Sequence, residues 1–194
     1  MHHSLQFIII ISFFILNSSF KCGVDSIKKP KIGFISSSED SKTFRLRRMA
    51  PRPIQIYIDY EILEKELRNN EITQDNFILL KSAFDYANDM FKKFLIVKNP
   101  TKISITKEMI DESDLDFTSN DVPNLIQMSG SSEIDLYLVP YITDLGFGVD
   151  AAAFPLYLEG KSKRPILGFI LLRSNYNTQK KTQLIFMVCY FFMK

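Results

Sequence analysis

Histidine is nearly missing from this chain of 194 residues: there are 2, His2 and His3, and both precede the first hydrophobic run. Beyond residue 3 there is no imidazole to act as general base for a Ser or Cys nucleophile, and none to bind a metal. Tryptophan is absent and glycine is sparse, 7 in all. Cysteine is limited to 2 residues, Cys22 and Cys189. They permit one bridge in an oxidising compartment and exclude a disulfide framework. No sign of charge dominates: 24 Lys and Arg stand against 22 Asp and Glu, a net charge of +2. The signs are mixed along the chain and form no basic stripe, so no nucleic-acid partner is expected. Gly146-Phe147-Gly148 lacks the G-x-x-x-x-G-K-[ST] spacing that cradles phosphates, so it is not read as a phosphate loop.

What is present is ordinary globular material. The chain is 46% hydrophobic and 24% charged, with 17 Phe and 8 Tyr, so a single Ile/Leu/Phe-rich core is expected. Leu5–Leu16 is an uncharged apolar run followed by Asn17, Ser18 and Ser19. That is the layout of a secretory signal peptide over residues 1–20, and it implies an extracellular or cell-surface destination. The run is shorter than the ~20 residues that cross a bilayer; an uncleaved anchor is the alternative reading, and membrane contact is expected only through this segment. Residues 21–52 are polar and basic with little periodicity, and read as a pro-segment or linker rather than packed structure. Arg47-Arg48 within it is either a processing site or part of a solvated linker.

Ordered structure is expected over residues 53–194. Ile54, Ile56, Ile58 and Tyr60 alternate with Gln55, Tyr57 and Asp59, the period of a half-buried strand. Glu61–Arg68 is a charged excursion, helical or loop. Asp75–Leu95 carries Ile78, Leu79, Ala83, Phe84, Ala87, Met90, Phe91, Phe94 and Leu95 at helical spacing, with Thr73 or Asp75 as N-cap. This stripe reads as core rather than as a ligand box. A short strand is expected over Lys102–Thr106. The acidic stretch Asp111–Asp121 lacks the ligand order and closing Glu of an EF-hand and reads as a solvated loop. The carboxylates Glu133 and Asp135 likewise read as solvated surface. Glu133–Tyr141 is strand-like. Ala151–Leu158 is extended, and Pro155 makes it an edge strand or a bulge. Ile166–Leu172 is a continuous apolar run, as expected of a strand buried on both faces. A helix beginning near Thr178 closes the order. The fold class is α/β (α+β): a mixed twisted sheet backed by helices.

Several stretches, taken in order, resemble the leishmanolysin family of zinc metallopeptidases, within the metzincin group. Cys22-Gly23-Val24-Asp25 resembles the family's Cys-x-His-Asp sequence in the pro-segment. Pro53–Asp59 resembles its first mature strand. Asp135–Pro140, Ala151–Ala153 and Arg164-Pro165-Ile166-Leu167-Gly168 resemble its strand, A-x-A and R-P-x-x-G segments. The resemblance spans Cys22 to Met187. It implies a metzincin-like N-terminal subdomain, a secreted or cell-surface zinc metalloendopeptidase, and a peptide or protein substrate. It also implies that Cys22 is an inhibitory pro-segment thiol. By the same resemblance, Ala151, Ala152, Ala153 and Phe154 are the edge strand on which an extended peptide adds.

The departures bear on activity. Val24 stands where the family has His. Val188, Cys189 and Phe192 stand about where its H-E-x-x-H helix places His, Glu and His. Neither Val nor Phe binds a metal, and a single thiolate is not a site. Complete relatives use zinc; no cofactor is expected in this chain, which reads as the N-terminal part of such an enzyme, cut short and inactive as written. An alternative is a non-catalytic secreted module that binds peptide on the edge strand. A third is a chain whose apolar stretch Leu184–Met193 makes it prone to aggregate. If a frame shift accounts for the loss of pattern after Met187, the transcript read past that codon encodes H-E-x-x-H in another frame. Sequencing it checks this, and a confirmed stop after Lys194 removes the enzyme reading.

Overall fold

The computed structural model describes residues 32–35, 50–98, 100, 104–113, 117–131, 133–145, 151–160 and 163–173. In chain order the elements are β1 (Gly33–Ile35), β2 (Arg52–Pro53), β3 (Ile56–Ile58), α1 (Glu61–Arg68), α2 (Gln74–Phe94), β4 (Ile96–Val97), α3 (Lys107–Asp111), a 3-10 turn (Ser119–Asp121), α4 (Pro123–Met128), β5 (Leu136–Thr143), β6 (Ala151–Glu159) and β7 (Pro165–Arg173). The main sheet has the order β1-β6-β7-β5-β3, and β2 and β4 form a separate antiparallel pair. Strands β3, β5 and β7 are mutually parallel, β6 runs antiparallel to β7, and β1 runs parallel to β6. The fold is α+β with a mixed sheet and helices, as expected.

The period of two along β5 and β7 sorts their side chains onto two faces. Tyr137, Val139 and Tyr141 of β5 join Leu167, Phe169 and Leu171 of β7 in one cluster, which Ile62, Ile110 and Leu125 cover from α1, α3 and α4. Leu136 and Leu138 join Ile170 and Leu172 in the other, which Leu80, Ala83, Phe84, Ala87 and Phe91 cover from α2. Apart from Thr143 and Arg173 at their ends, both strands are apolar because both faces are buried, as the Ile166–Leu172 run implied.

Each helix has a local cause. Thr73 caps α2 by accepting from the Asn76 N–H at 3.2 Å, and Lys92 and Lys93 lie in its last turn, where the dipole favours cations. Helix α1 ends in a Schellman arrangement: Glu71 N–H donates to the Glu66 carbonyl and Asn70 N–H to that of Leu67, with Asn70 at a φ of 61°. Helix α4 starts with Pro123, whose missing N–H has no intrahelical role there.

Four expectations need correction. The buried face of α2 includes Leu80, while Ile78 and Phe94 are 55% and 67% exposed. Inward-facing positions recur at 80, 83, 84, 87 and 91, and the two exposed residues fall outside that stripe. Ser104–Thr106 is not a strand: Thr106 instead caps α3 by accepting from the Met109 N–H, and Lys102 lies outside the described residues. The acidic stretch after Ile110 is not simply a solvated loop, because Asp111 accepts from the Ser119 N–H and hydroxyl at 2.7 and 3.0 Å and closes a turn. Residues 21–52 are not merely a linker, since Gly33–Ile35 pairs with the sheet and Arg52 opens β2. The expected helix from Thr178 lies outside the described residues.

Phe84 is fully buried under the sheet, so Phe84→Ala is expected to cost about 3–5 kcal/mol. Ile78→Ala is expected to stay within about 0.5 kcal/mol of wild type. Urea unfolding of both variants checks the register of the helix face.

Candidate peptide-binding edge

Strand β6 is the one long strand that runs against the parallel three. It pairs with β7 from Ala151↔Leu172 to Leu158↔Pro165, with register shifts between Pro155 and Tyr157 and between Tyr157 and Leu158. Pro155 has no N–H to give to either neighbour, which places the irregularity there. On its outer side β6 meets β1 over Tyr157, Leu158 and Glu159. It is therefore not a simple edge strand along its whole length. Among the described residues, no strand pairs with the outer side of Ala151–Phe154. The side chains of Ala151, Ala152 and Phe154 are buried in the sheet faces and Ala153 is half-buried. What this stretch offers a partner is its main chain rather than its side chains.

The far end of β6 is held by a buried ion cluster. Asp135, just before β5, has no exposed surface. Its Oδ2 meets Arg52 Nη1 at 2.7 Å and accepts from the Gln55 N–H at 3.0 Å, while Arg52 Nη2 donates to Oδ1 at 3.2 Å. Arg164 Nη1 donates to the Asp135 carbonyl at 2.9 Å and lies 3.6 Å from Oδ1, and Arg164 Nε is 3.8 Å from Glu159 Oε2. Asp135 is thus not the solvated carboxylate expected from sequence. Its pairing fixes the start of β5 against both β2 and the β6–β7 hairpin, where Lys163 takes a φ of 59°. Arg164, part of the R-P-x-x-G segment, acts here as a structural cation.

A second buried carboxylate was not singled out from sequence. Asp59 follows β3 and is 1% exposed. Its Oδ1 accepts from the Glu61 N–H at 2.9 Å at the start of α1, while Oδ2 has no hydrogen-bond partner. Burial pushes its pKa up from 3.8 to about 6, against the Glu61 N–H and, short of hydrogen-bond geometry, the Leu125 N–H; the charges of Glu61 and Glu64 raise it further. The available signal was an Asp two residues ahead of a helix start, where an Asx side chain meets the first free N–H groups. Nearby, α4 is tied to α1 by the Asn124 N–H donating to Glu61 Oε2 at 3.0 Å.

A pocket of about 170 Å³ opens at the C-terminal end of β5, lined in part by Lys65, Glu66, Phe117, Asp121 and Tyr141. Lys65 Nζ and Asp121 Oδ1 close one side at 2.8 Å. The volume is below the ~300 Å³ at which small-molecule pockets begin.

Among the described residues, no three His, Cys, Asp or Glu side chains group as metal ligands, and no helix is long and apolar enough to cross a membrane. Cys22, Val24, Arg47, Arg48, Val188, Cys189 and Phe192 lie outside the described residues. No protein-family model matches the chain, and no curated protein matches it.

Because the folded pKa of Asp59 is raised, its protonated form is the stabilising one. That contribution is full below about pH 4 and is lost as pH rises through about 6. Asp59→Asn is therefore expected to gain roughly 2–3 kcal/mol relative to wild type on going from pH 4 to pH 7.5. Urea unfolding of both proteins at the two pH values measures it, and equal differences at both would contradict the assignment.

Proposed function

We propose that this chain binds an extended peptide or protein segment along the outer edge of β6, on a scaffold of the leishmanolysin-like zinc metalloendopeptidase kind. One observation carries the peptide-binding part. An extended piece of the chain itself, β1, already lies on that edge by main-chain pairing. Strand addition needs only free N–H and C=O groups in register, and side chains then set selectivity. The metzincin-like reading rests on the ordered resemblance of Cys22–Asp25, Pro53–Asp59, Asp135–Pro140, Ala151–Ala153 and Arg164–Gly168. The mixed sheet, with β6 as the antiparallel strand outside a parallel set, supports it.

Zinc is what the family would supply, and the residues present do not fit it. Val188 and Phe192 carry no donor atom, Cys189 offers a single sulfur, and no histidine follows His3. No hydrolytic step is therefore routed through a metal, and these 194 residues are read as non-catalytic on their own. The apolar run Leu5–Leu16 supports a secretory destination, where the edge of β6 would meet extracellular peptide.

Binding of fluorescent extended peptides, followed by anisotropy in zinc and in EDTA with mass spectrometry of the peptide, tests this. Saturable binding of equal strength in both buffers and intact peptide are expected. Zinc-dependent cleavage would overturn the non-catalytic reading, and no saturable binding would overturn the peptide-binding one.

A further inference from the structure

We propose that β1 is a displaceable strap: Gly33–Ile35 occupies the β6 edge as an internal competitor of the extended peptide. The proposal rests on the peptide-binding reading of that edge and adds how access to it is controlled. The β6 edge is short once β1 is in place. Ala151–Phe154 is followed by Pro155, which has no N–H, and by a break in register. Tyr157–Glu159, beyond the break, is held by β1. A peptide that uses the length of β6 must take that stretch as well.

The strap is built to be weakly held. It is 3 residues long and, among the described residues, pairs with β6 alone. Its pairing is parallel, the slightly less stable arrangement per residue. An incoming peptide is free to run the other way. Phe34 is 59% exposed and Ile32, just before the strap, 48%, so these two side chains bury little apolar surface. Phe34 is met by Lys163, whose Nζ lies 4.3 Å from the ring centroid.

The strap is also specific, through Gly33. A Cβ at that position would lie 2.1 Å from Cε1 and 2.5 Å from Cδ1 of Tyr157. The Tyr157 ring is tethered, because its hydroxyl donates to the Met109 carbonyl at 3.1 Å and swinging away would give up that bond. Gly33 is in strand conformation, so the demand for glycine is a demand for space. A side chain there forces β1 and the Tyr157 ring apart, while neither sheet-face cluster includes Gly33 or Phe34.

The test uses the full chain as wild type, Gly33→Val and Phe34→Ser. Hydrogen exchange read by mass spectrometry follows the segment Tyr157–Glu159. Anisotropy follows a labelled synthetic peptide of residues 30–37, the strap added from outside. In Gly33→Val, faster exchange of Tyr157–Glu159 is expected, with β5 and β7 unchanged. The trans peptide is expected to bind about tenfold tighter, since apparent affinity scales with the fraction of molecules whose edge is open. Phe34→Ser, which keeps Gly33 and removes the Lys163 contact, is expected to move both readouts the same way by less. Unchanged exchange in both variants would overturn the strap. Faster exchange with no peptide capture in any protein would retain the strap as a displaceable strand and overturn the peptide-binding reading beneath it.

Discussion

A carboxylate taken out of water has to find its partners within the protein, and Asp135 finds three of them, from two separate parts of the chain. Arg52 comes from the entry to the fold, the Gln55 N–H from the approach to β3, and Arg164 from the turn between β6 and β7. The sheet is organised from this point, because the same residue precedes β5, the strand that lies between β3 and β7. Such a cluster is not a strong source of net stability, since the desolvation of both ions offsets much of their attraction. What it supplies is exclusivity: a register slip in β3 or β7 would leave a buried charge without a partner. The apolar faces alone would tolerate such a slip more easily, because Ile, Leu and Phe side chains are interchangeable in kind along these strands.

Two covering layers then close over the sheet by different means. One is a single long helix, α2, whose inward stripe packs against Leu136, Leu138, Ile170 and Leu172. The other is a patchwork of the short elements α1, α3 and α4, joined by polar links such as Tyr137 Oη to the Met128 carbonyl at 2.9 Å and Tyr157 Oη to the Met109 carbonyl. Short helices have few hydrogen bonds of their own and depend on such attachments. Asp59 sits at a joint of this patchwork, at the start of α1, and its unpaired oxygen makes that joint sensitive to protonation.

Legibility in the sequence followed the range of the interaction. The long helix, its Thr73 cap and the doubly buried Ile166–Leu172 strand could be read because period and capping are local. The short helices were missed because five or six residues give too few turns to show a period, leaving only Thr106 and Pro123 as signals. The burial of Asp135 was missed because its cation, Arg52, is 83 positions away and nothing near Asp135 announces it. Ala151–Phe154 was correctly read as extended, but β1 was not foreseen on the other half of the same strand. Lys31–Ser36 has no alternation long enough to distinguish it from the polar segment around it. The residues that carry the family resemblance most sharply, Cys22 and the Val188–Phe192 stretch, fall outside what the structure describes.

The pairing of β1 with β6 also has a meaning in time. Gly33 is made early and Tyr157 late, so at the usual ~5–20 residues per second of synthesis the strap waits on the order of ten seconds for its partner strand. Closing so long a loop is also slow compared with forming the β6–β7 hairpin or a helix. During biosynthesis, then, the Ile-Gly-Phe-Ile segment travels as an unpaired apolar strand just behind the N-terminal apolar run Leu5–Leu16. It is the last piece of the sheet to find its place although it is the first to be made.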